Sequence, residues 1–501
     1  QIDMTRVKRI EVLNGAASSL YGSDAIGGVI NIITNEPKDV VAFSSNSSYT
    51  RKNQFSQGLN LDIAQGKIGS YTSYKYDHSD GWQNSRLTED GEDIIETIAP
   101  LSLGYSSNNF SQKFTYDATD QLSFYANGGY YNRGLERPVE REDITGGSKY
   151  NTAYEGYNWG AGAKYKLSKR NVIQFDYSGN NYASRYKYLI ENSGYLPGQY
   201  ALTKLQKFHD AELKGIFGFT TNSTTMFGVD YRREVLRRPD SDLDKSVYTT
   251  SAYGQHEVKL WNHLTGVVGV RYDHHEQTGG RFTPKVAAMY NIGNFNVRAT
   301  YAAGFRAPGI DELYYHMFKK TMGTRATISL GDENLDPERS NYYSINMEYR
   351  TNRFSASVTG YLNYVKNMVT SKSTKFDDLP EAEQNQLREE FPEIGDLSST
   401  KNLSVKNYFN FEKATVKGFE VNLNGNLFPG FTLTGNYTYA YGRGLNEGGE
   451  WQNIERSIRH TATITGNYTH SWSDYTLNLN LNGRLQSKVY YPGDADGNAP
   501  G

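Results

Sequence analysis

Long stretches of this chain alternate strictly between apolar and small polar residues, and that period of two constrains its fold more than any other feature. In "YTLNLNLNGRL", Tyr475, Leu477, Leu479 and Leu481 share one face, with Thr476, Asn478, Asn480 and Asn482 on the other. "FTLTGNYTYAYG" sets Phe431, Leu433, Gly435, Tyr437, Tyr439 and Tyr441 against Thr432, Thr434, Asn436 and Thr438. "TATITGNYT" repeats the pattern with Ala462, Ile464 and Tyr468. Such alternation marks strands with unlike faces. The predicted strands run about 10–15 residues, whereas soluble strands average about 5–6. A soluble sandwich or propeller would carry the same period in shorter strands. A strand crossing a bilayer needs roughly 9–11 residues, an apolar outer face and aromatic girdles, and it tolerates a wet interior. With 41 Tyr, 22 Phe and 5 Trp the chain can build such girdles. A polar lumen is compatible with its mean hydropathy of −0.69.

The connections point the same way. From about Val41 onward nineteen strands can be laid out, the last starting near Ser473. Short connections ("QGK" at 65–67, "ATD" at 118–120, "SKR" at 168–170, "TNS" at 221–223, "WN" at 261–262) alternate with mostly long ones. The long ones fall at 80–105, 132–157, 183–205, 235–246, 304–339, 366–413 and 441–458. Short turns on one side and long loops on the other are the habit of membrane barrels. Within 366–413, "DLPEAEQNQLREEF" predicts a short helix, with Asp378 as N-cap and Pro380 in its first turn.

The N-terminal "SSLYGSDAIGGVINIIT", at 18–34, is different in kind. Val29–Ile33 is too short to span a bilayer as a helix, which needs about 20 residues. It predicts a short buried strand entered through a Ser23-Asp24 turn. Gly27 and Gly28 remove side chains where something packs close.

A net charge of −2 implies no surface for a polyanion, so no nucleic acid is expected as a partner. The absence of cysteine excludes disulfides, thiolate metal sites and a Cys nucleophile. No apolar stretch of 18 residues argues for a membrane helix. The nine histidines are scattered and no G-x-S-x-G elbow occurs, which argues against an outer-membrane hydrolase.

"VKRIEVLNGAASSLYGSDAIGGVINIIT", at 7–34, closely resembles the end of the plug domain in TonB-dependent outer-membrane receptors. "KGFE" at 417–420 and "TYAAGFRAPGIDELYY" at 300–315 also recur in that family, and the resemblance extends over essentially the whole chain. It implies an all-β membrane protein, a transmembrane antiparallel barrel of about 22 strands around a plug. Residues 1–40 would be the end of the plug domain, with Tyr21, Gly22, Gly27 and Gly28 in it and "NEPKDV" as the hinge. Residues 41–501 would be the barrel, carrying about nineteen strands. The signal peptide, the TonB-contacting box, most of the plug and about three C-terminal strands would lie outside this sequence. The resemblance further implies a bacterial outer-membrane location among outer-membrane lipids, the TonB complex as energy source, and active import of a bulky, scarce nutrient. No enzymatic activity and no resident cofactor are implied. A plug also argues against a passive porin.

The seventh external loop bears on the ligand. Phe305-Arg306-Ala307-Pro308 opens it, His316 follows, and "GDENLDPE" at 331–338 closes it. This is similar to the haem and haemoglobin receptor subset, in which a FRAP box and an NPDL-like box bracket a histidine. The resemblance implies His316 as a ligand of haem iron, with Tyr314, Tyr315 and Phe318 against the porphyrin. It also allows for a surface haem-binding lipoprotein as donor. Asn334 and Leu335 match the second box, but proline follows the leucine, where the pattern places it earlier. Cobalamin and ferric siderophores are the alternative ligands. The acidic second external loop (Asp77, Asp80, Glu89, Asp90, Glu92, Asp93) offers oxygen ligands that suit calcium, as in cobalamin receptors. "DADG" at 494–497 reads as a turn. His274 and His275 are neighbours in a strand, so they face opposite sides and cannot share one lumenal metal.

Overall fold

The fold was analysed in a computed structural model that describes residues 4–51, 53–81, 87–89, 92–94, 103–136, 149–192, 194–320, 326–445, 449–454 and 456–491. Nineteen long strands form the wall in these residues, from Ala42–Thr50 to Thr476–Gln486. Each pairs antiparallel with its sequence neighbour in the wall, and the strand order runs round a barrel. Both end strands are exposed over nearly their whole length.

Alternation along each strand sorts residues between bilayer and lumen. In Leu264–His275, Val268, Val270, Tyr272 and His274 are exposed outside, while Gly269, Arg271, Asp273 and His275 are buried inside. Aromatic residues crowd the rim of short turns, among them Trp261, Tyr290, Phe295, Phe354, Phe428 and Trp472. Tyr248, Tyr272 and Phe282 lie toward the opposite rim.

The strands outrun the sequence expectation. Phe354–Lys375 has 22 residues and Leu403–Phe428 has 26. At about 3.3 Å per residue such lengths far exceed a hydrocarbon core of about 30 Å. Adjacent strands lengthen together, so their backbone groups stay paired outside the bilayer. The expected loop at 235–246 shrinks accordingly to a 3₁₀ turn, Pro239–Ser241, between Ser223–Arg238 and Leu243–Trp261.

The long-loop side carries a cap with a core of its own. A hairpin, His316–Lys320 with Ala326–Leu330, lays its second strand parallel to Leu403–Asn407. Ala326, Ile328, Phe376, Leu387, Phe391, Ile394, Leu403 and Val405 form its buried cluster, with Phe318 against it. The predicted helix is present as Glu381–Glu390, but Pro380 is its N-cap and Asp378 ends a preceding 3₁₀ turn. Leu379 stands before proline with ψ 155°, an extended conformation that keeps the helix from starting earlier.

At the N-terminus Val7–Asn14 and Gly28–Thr34 form an antiparallel ribbon, and the short helix Ser18–Tyr21 lies between them in sequence. The ribbon sits inside the wall, where Ala16 packs with Ala302 and Tyr342. The expected buried strand forms, but it is only half-buried, and Ile30 is 67% exposed. Two strands have too little sheet to cover both of their faces. The following segment is pinned to the wall: the Lys38 N–H donates to both Asp62 carboxylate oxygens, at 3.1 and 3.3 Å.

Candidate functional site

The N-terminal segment and the wall meet around the end of the Phe295–Arg306 strand. The ladder between this strand and Gly279–Ile292 stops at Lys285↔Ala302. The next residue that would pair is Pro284, which has no N–H to give and ends the ladder. Beyond that point the N-terminal segment supplies partners. Ser18 Oγ accepts the Phe305 N–H at 3.2 Å, and Ser23 Oγ accepts the Ala307 N–H at 3.1 Å. Ser18 and Phe305 are both almost fully buried.

Arg271 holds the same segment from the next part of the wall. Its guanidinium pairs with Asp230 at 2.7 Å and Asp273 at 2.8 Å, lies over the Tyr253 ring, and donates to the Leu20 carbonyl at 3.4 Å. Two carboxylates and a ring leave this buried cation well compensated. Ser251 donates to Asp273 Oδ1, while Asp273 Oδ2 has no partner among the described residues. Gly22 lies against this guanidinium with φ +75°, and a Cβ there would come within 2.9 Å of Arg271 Nη2. Backbone and space both demand glycine at this position. Gly28, with φ +144°, would drive a Cβ to 2.5 Å from the Leu13 carbonyl, whereas nothing lies within 4 Å of a Cβ on Gly27. The close packing expected at Gly27 and Gly28 is therefore present at Gly28 and absent at Gly27, while Gly22, of which it was not expected, is closely packed. Tyr21, by contrast, is 41% exposed.

A small cavity between Gly22–Asp24 and the wall is lined by Asp230, Arg232, Glu234, Arg271, Asp273 and His275. Further along the lumen Arg232 pairs with Asp210, and Lys214 lies between Glu212 and Asp176. Arg271, Arg232 and Lys214 thus each have a carboxylate partner on the inner face.

The residues of the two boxes have structural partners. Arg306 donates to Glu312 at 2.9 and 3.2 Å and to Glu338 at 2.7 Å. Glu312 also accepts the Gly309 N–H at the start of the helix Ile310–Tyr314, and Glu338 accepts the Val369 N–H. Ala307 is buried, and Pro308 lines the small cavity with it. Leu335 packs with Leu313 and Val369, while Asn334 closes a turn onto Asp332.

The four candidate haem contacts point into different surroundings. His316 stacks on Phe391 at 4.4 Å, its Nε2 lies 3.2 Å from Glu390 Oε2, and its side chain is 55% exposed. Phe318 belongs to the cap core. Tyr314 packs at the junction of two wall clusters, beneath Lys245. Tyr315 accepts a hydrogen bond from Arg238 at 2.6 Å, and burial pushes its phenol above the usual range, opposed by that guanidinium. In the acidic loop, Asp77 pairs with Lys75 and Asp80 with His78. The side chains of Glu89, Asp90, Glu92 and Asp93, and all of 494–497, lie outside the described residues. Among the described residues no group of three His, Asp or Glu side chains is placed to hold a metal. His274 faces outward and His275 inward, as strand parity requires.

Ser18 and Arg271 escaped the sequence reading, and Ser23 was read only as part of a turn. Arg271 and Asp273 carried a signal, since two opposite charges two residues apart share the inward face of a strand.

An antiparallel wall with an apolar exterior, a charged lumen and a segment docked inside it defines a plugged membrane barrel. Comparison with known proteins takes this further. The family described as TonB dependent receptor-like, beta-barrel, matches residues 13–501, and the chain belongs to it, as an outer-membrane protein. A vitamin B12 transporter, BtuB, of Vibrio cholerae is 24% identical over 389 residues, covering 75% of this chain and 57% of the relative. A ferric enterobactin receptor, PirA, of Pseudomonas aeruginosa is 24% identical over 551 residues, covering 97% and 68%. The siderophore receptor PirA structure from Pseudomonas aeruginosa aligns with TM-score 0.68 at 18% identity, over 97% of this chain and 80% of that one. The FrpB iron transporter from Neisseria meningitidis aligns with TM-score 0.71 at 13% identity, over 96% and 76%. The chain spans little more than half the length of the B12 transporters it matches.

Proposed function

We propose that this chain belongs to a receptor that imports a bulky iron chelate of the siderophore class across the outer membrane, driven by TonB. The observation that carries this reading is the plug segment seated in a charged lumen beneath an external cap. A porin needs no such segment. The named relatives, transporters and receptors of B12 and iron chelates, support the ligand class. In this reading the ligand is captured at the cap, and the inner-membrane TonB complex pulls the plug aside. Uptake of a labelled ferric siderophore by cells carrying the full-length receptor, with and without TonB, tests it. Uptake that persists without TonB contradicts it.

A second reading, haem import, is favoured by the setting of His316. An imidazole whose one nitrogen faces a carboxylate is the usual arrangement for a ligating histidine, since the carboxylate fixes ring and tautomer. Here Glu390 holds Nε2, which leaves Nδ1 for iron. Haem delivered by a surface lipoprotein would enter at this edge of the cap, near Tyr314, Tyr315 and Phe318. The cobalamin alternative rests on calcium in the second external loop. A haem titration of the intact receptor beside His316→Ala separates these readings. Affinity lowered tenfold to a hundredfold, about 1.4–2.8 kcal/mol, supports haem. Calcium-dependent cobalamin binding without haem binding supports cobalamin.

A further inference from the structure

We propose that the FRAP segment, Phe305–Pro308, is the socket in which the plug is seated, and that Arg306 ties this socket to the external loop. The proposal rests on the reading of the N-terminal segment as a plug. Three observations converge on it. Two backbone N–H groups of the segment, on Phe305 and Ala307, are taken by plug hydroxyls, Ser18 and Ser23. They become available because the wall ladder stops beside Pro284. Gly304, directly before the segment, is closely flanked: a Cβ there would lie 2.7 Å from the movable Ser340 Oγ of the returning strand, 3.2 Å from Ala16 Cβ and 3.3 Å from Ile26 Cα, so it fits only if these neighbours give by a few tenths of an ångström. Ala16 and Ile26 are plug residues, so the strand end and the plug approach each other closely.

The side chain between the two donating residues points elsewhere. Arg306 reaches Glu312, in the helix that opens the external loop, and Glu338, which begins the returning strand. Glu338 in turn accepts the Val369 N–H of the neighbouring wall strand. One short segment therefore meets the plug through its backbone and the external loop through its charge. A shift of the Ile310–Tyr314 helix pulls on Arg306 and so on the two N–H groups that hold the plug. The segment belongs to the seating of the plug rather than to the capture of ligand.

The passive ion conductance of the full-length receptor in planar bilayers tests this with neither ligand nor TonB present. Ser18→Ala/Ser23→Ala is expected to raise the open fraction at least tenfold. Glu312→Gln, remote from the plug, should raise it too, and combining it with Ser23→Ala should add less than the sum. Because the chain lacks cysteine, an Ala16→Cys/Gly304→Cys pair can be oxidised selectively, and the disulfide should return every variant to wild-type conductance. A barrel that folds, judged by heat-modifiable migration, yet keeps wild-type conductance with both serines removed overturns the socket. So does a leak that the disulfide does not close. A silent Glu312→Gln overturns the tie. If the double variant fails to fold, Ser18→Ala and Ser23→Ala taken singly decide between the same two outcomes. Conductance is independent of uptake, so a receptor that imports nothing can still pass this test, and one that imports can fail it.

Discussion

Gly22 and Gly27 look alike in the sequence and differ in what surrounds them. A methyl group on Gly22 meets the Arg271 guanidinium and needs a backbone conformation that L-residues rarely adopt. Gly22→Ala is expected to lower the stability of plug docking by roughly 1–3 kcal/mol, while Gly27→Ala stays within about 0.5 kcal/mol. Limited proteolysis of the plug segment in the folded receptor checks this, with equal cleavage of the two variants as the contrary result. The glycine-rich segment was legible as a place of close approach. Which glycine was under pressure was not, because the pressing groups come from Arg271, hundreds of residues away, and from a hairpin partner. The same holds for Phe305–Pro308. Their match to a box was legible, but their partners, Ser18 and Ser23, became neighbours only on folding.

At the scale of elements, strand parity decided most of the fold. Residues two apart share a face, so the inward set of Leu264–His275 was readable before any pairing was known. Strand ends were not readable, because polar residues pair as well outside the membrane as apolar ones within it. Of the cap only the helix Glu381–Glu390 was foreseen. Its core joins Ile328 to Phe376 and Ile394 across two loops, and no local period records that. Phe376→Ala should remove roughly 3–5 kcal/mol from the cap while leaving the wall intact. Faster hydrogen exchange confined to His316–Leu330 and the Glu381–Glu390 helix would report it, and exchange spread through the barrel would contradict it. The cap also carries a carboxylate, Glu390, that hydrogen bonds from Gln386 and then His316 hold below the usual glutamate value of 4.5. A lowered folded-state pKa stabilises above the ordinary value, and that contribution is lost as pH falls through the lower one. Acidification below the ordinary carboxylate range should loosen the end of this helix. Glu390→Gln should remove that dependence in an exchange profile against pH.

In the whole molecule a β-wall separates lipid from lumen, and the N-terminal segment is docked against its inner face. The all-β membrane class was legible from alternation and from unequal connections. The ligand was not, because the loops that choose it tolerate wide variation. In the proposed function the plug must move for import, and this is the central claim. The most direct test is uptake of a labelled ferric siderophore by TonB-competent cells carrying the full-length Ala16→Cys/Gly304→Cys receptor. A Cβ at Gly304 lies 3.2 Å from Ala16 Cβ, a few tenths of an ångström short of the usual disulfide range of about 3.5–4.5 Å, a gap that a small shift closes. Oxidation should abolish uptake while surface binding persists, and reduction should restore it. Unimpaired uptake through the oxidised, crosslinked receptor would contradict the account.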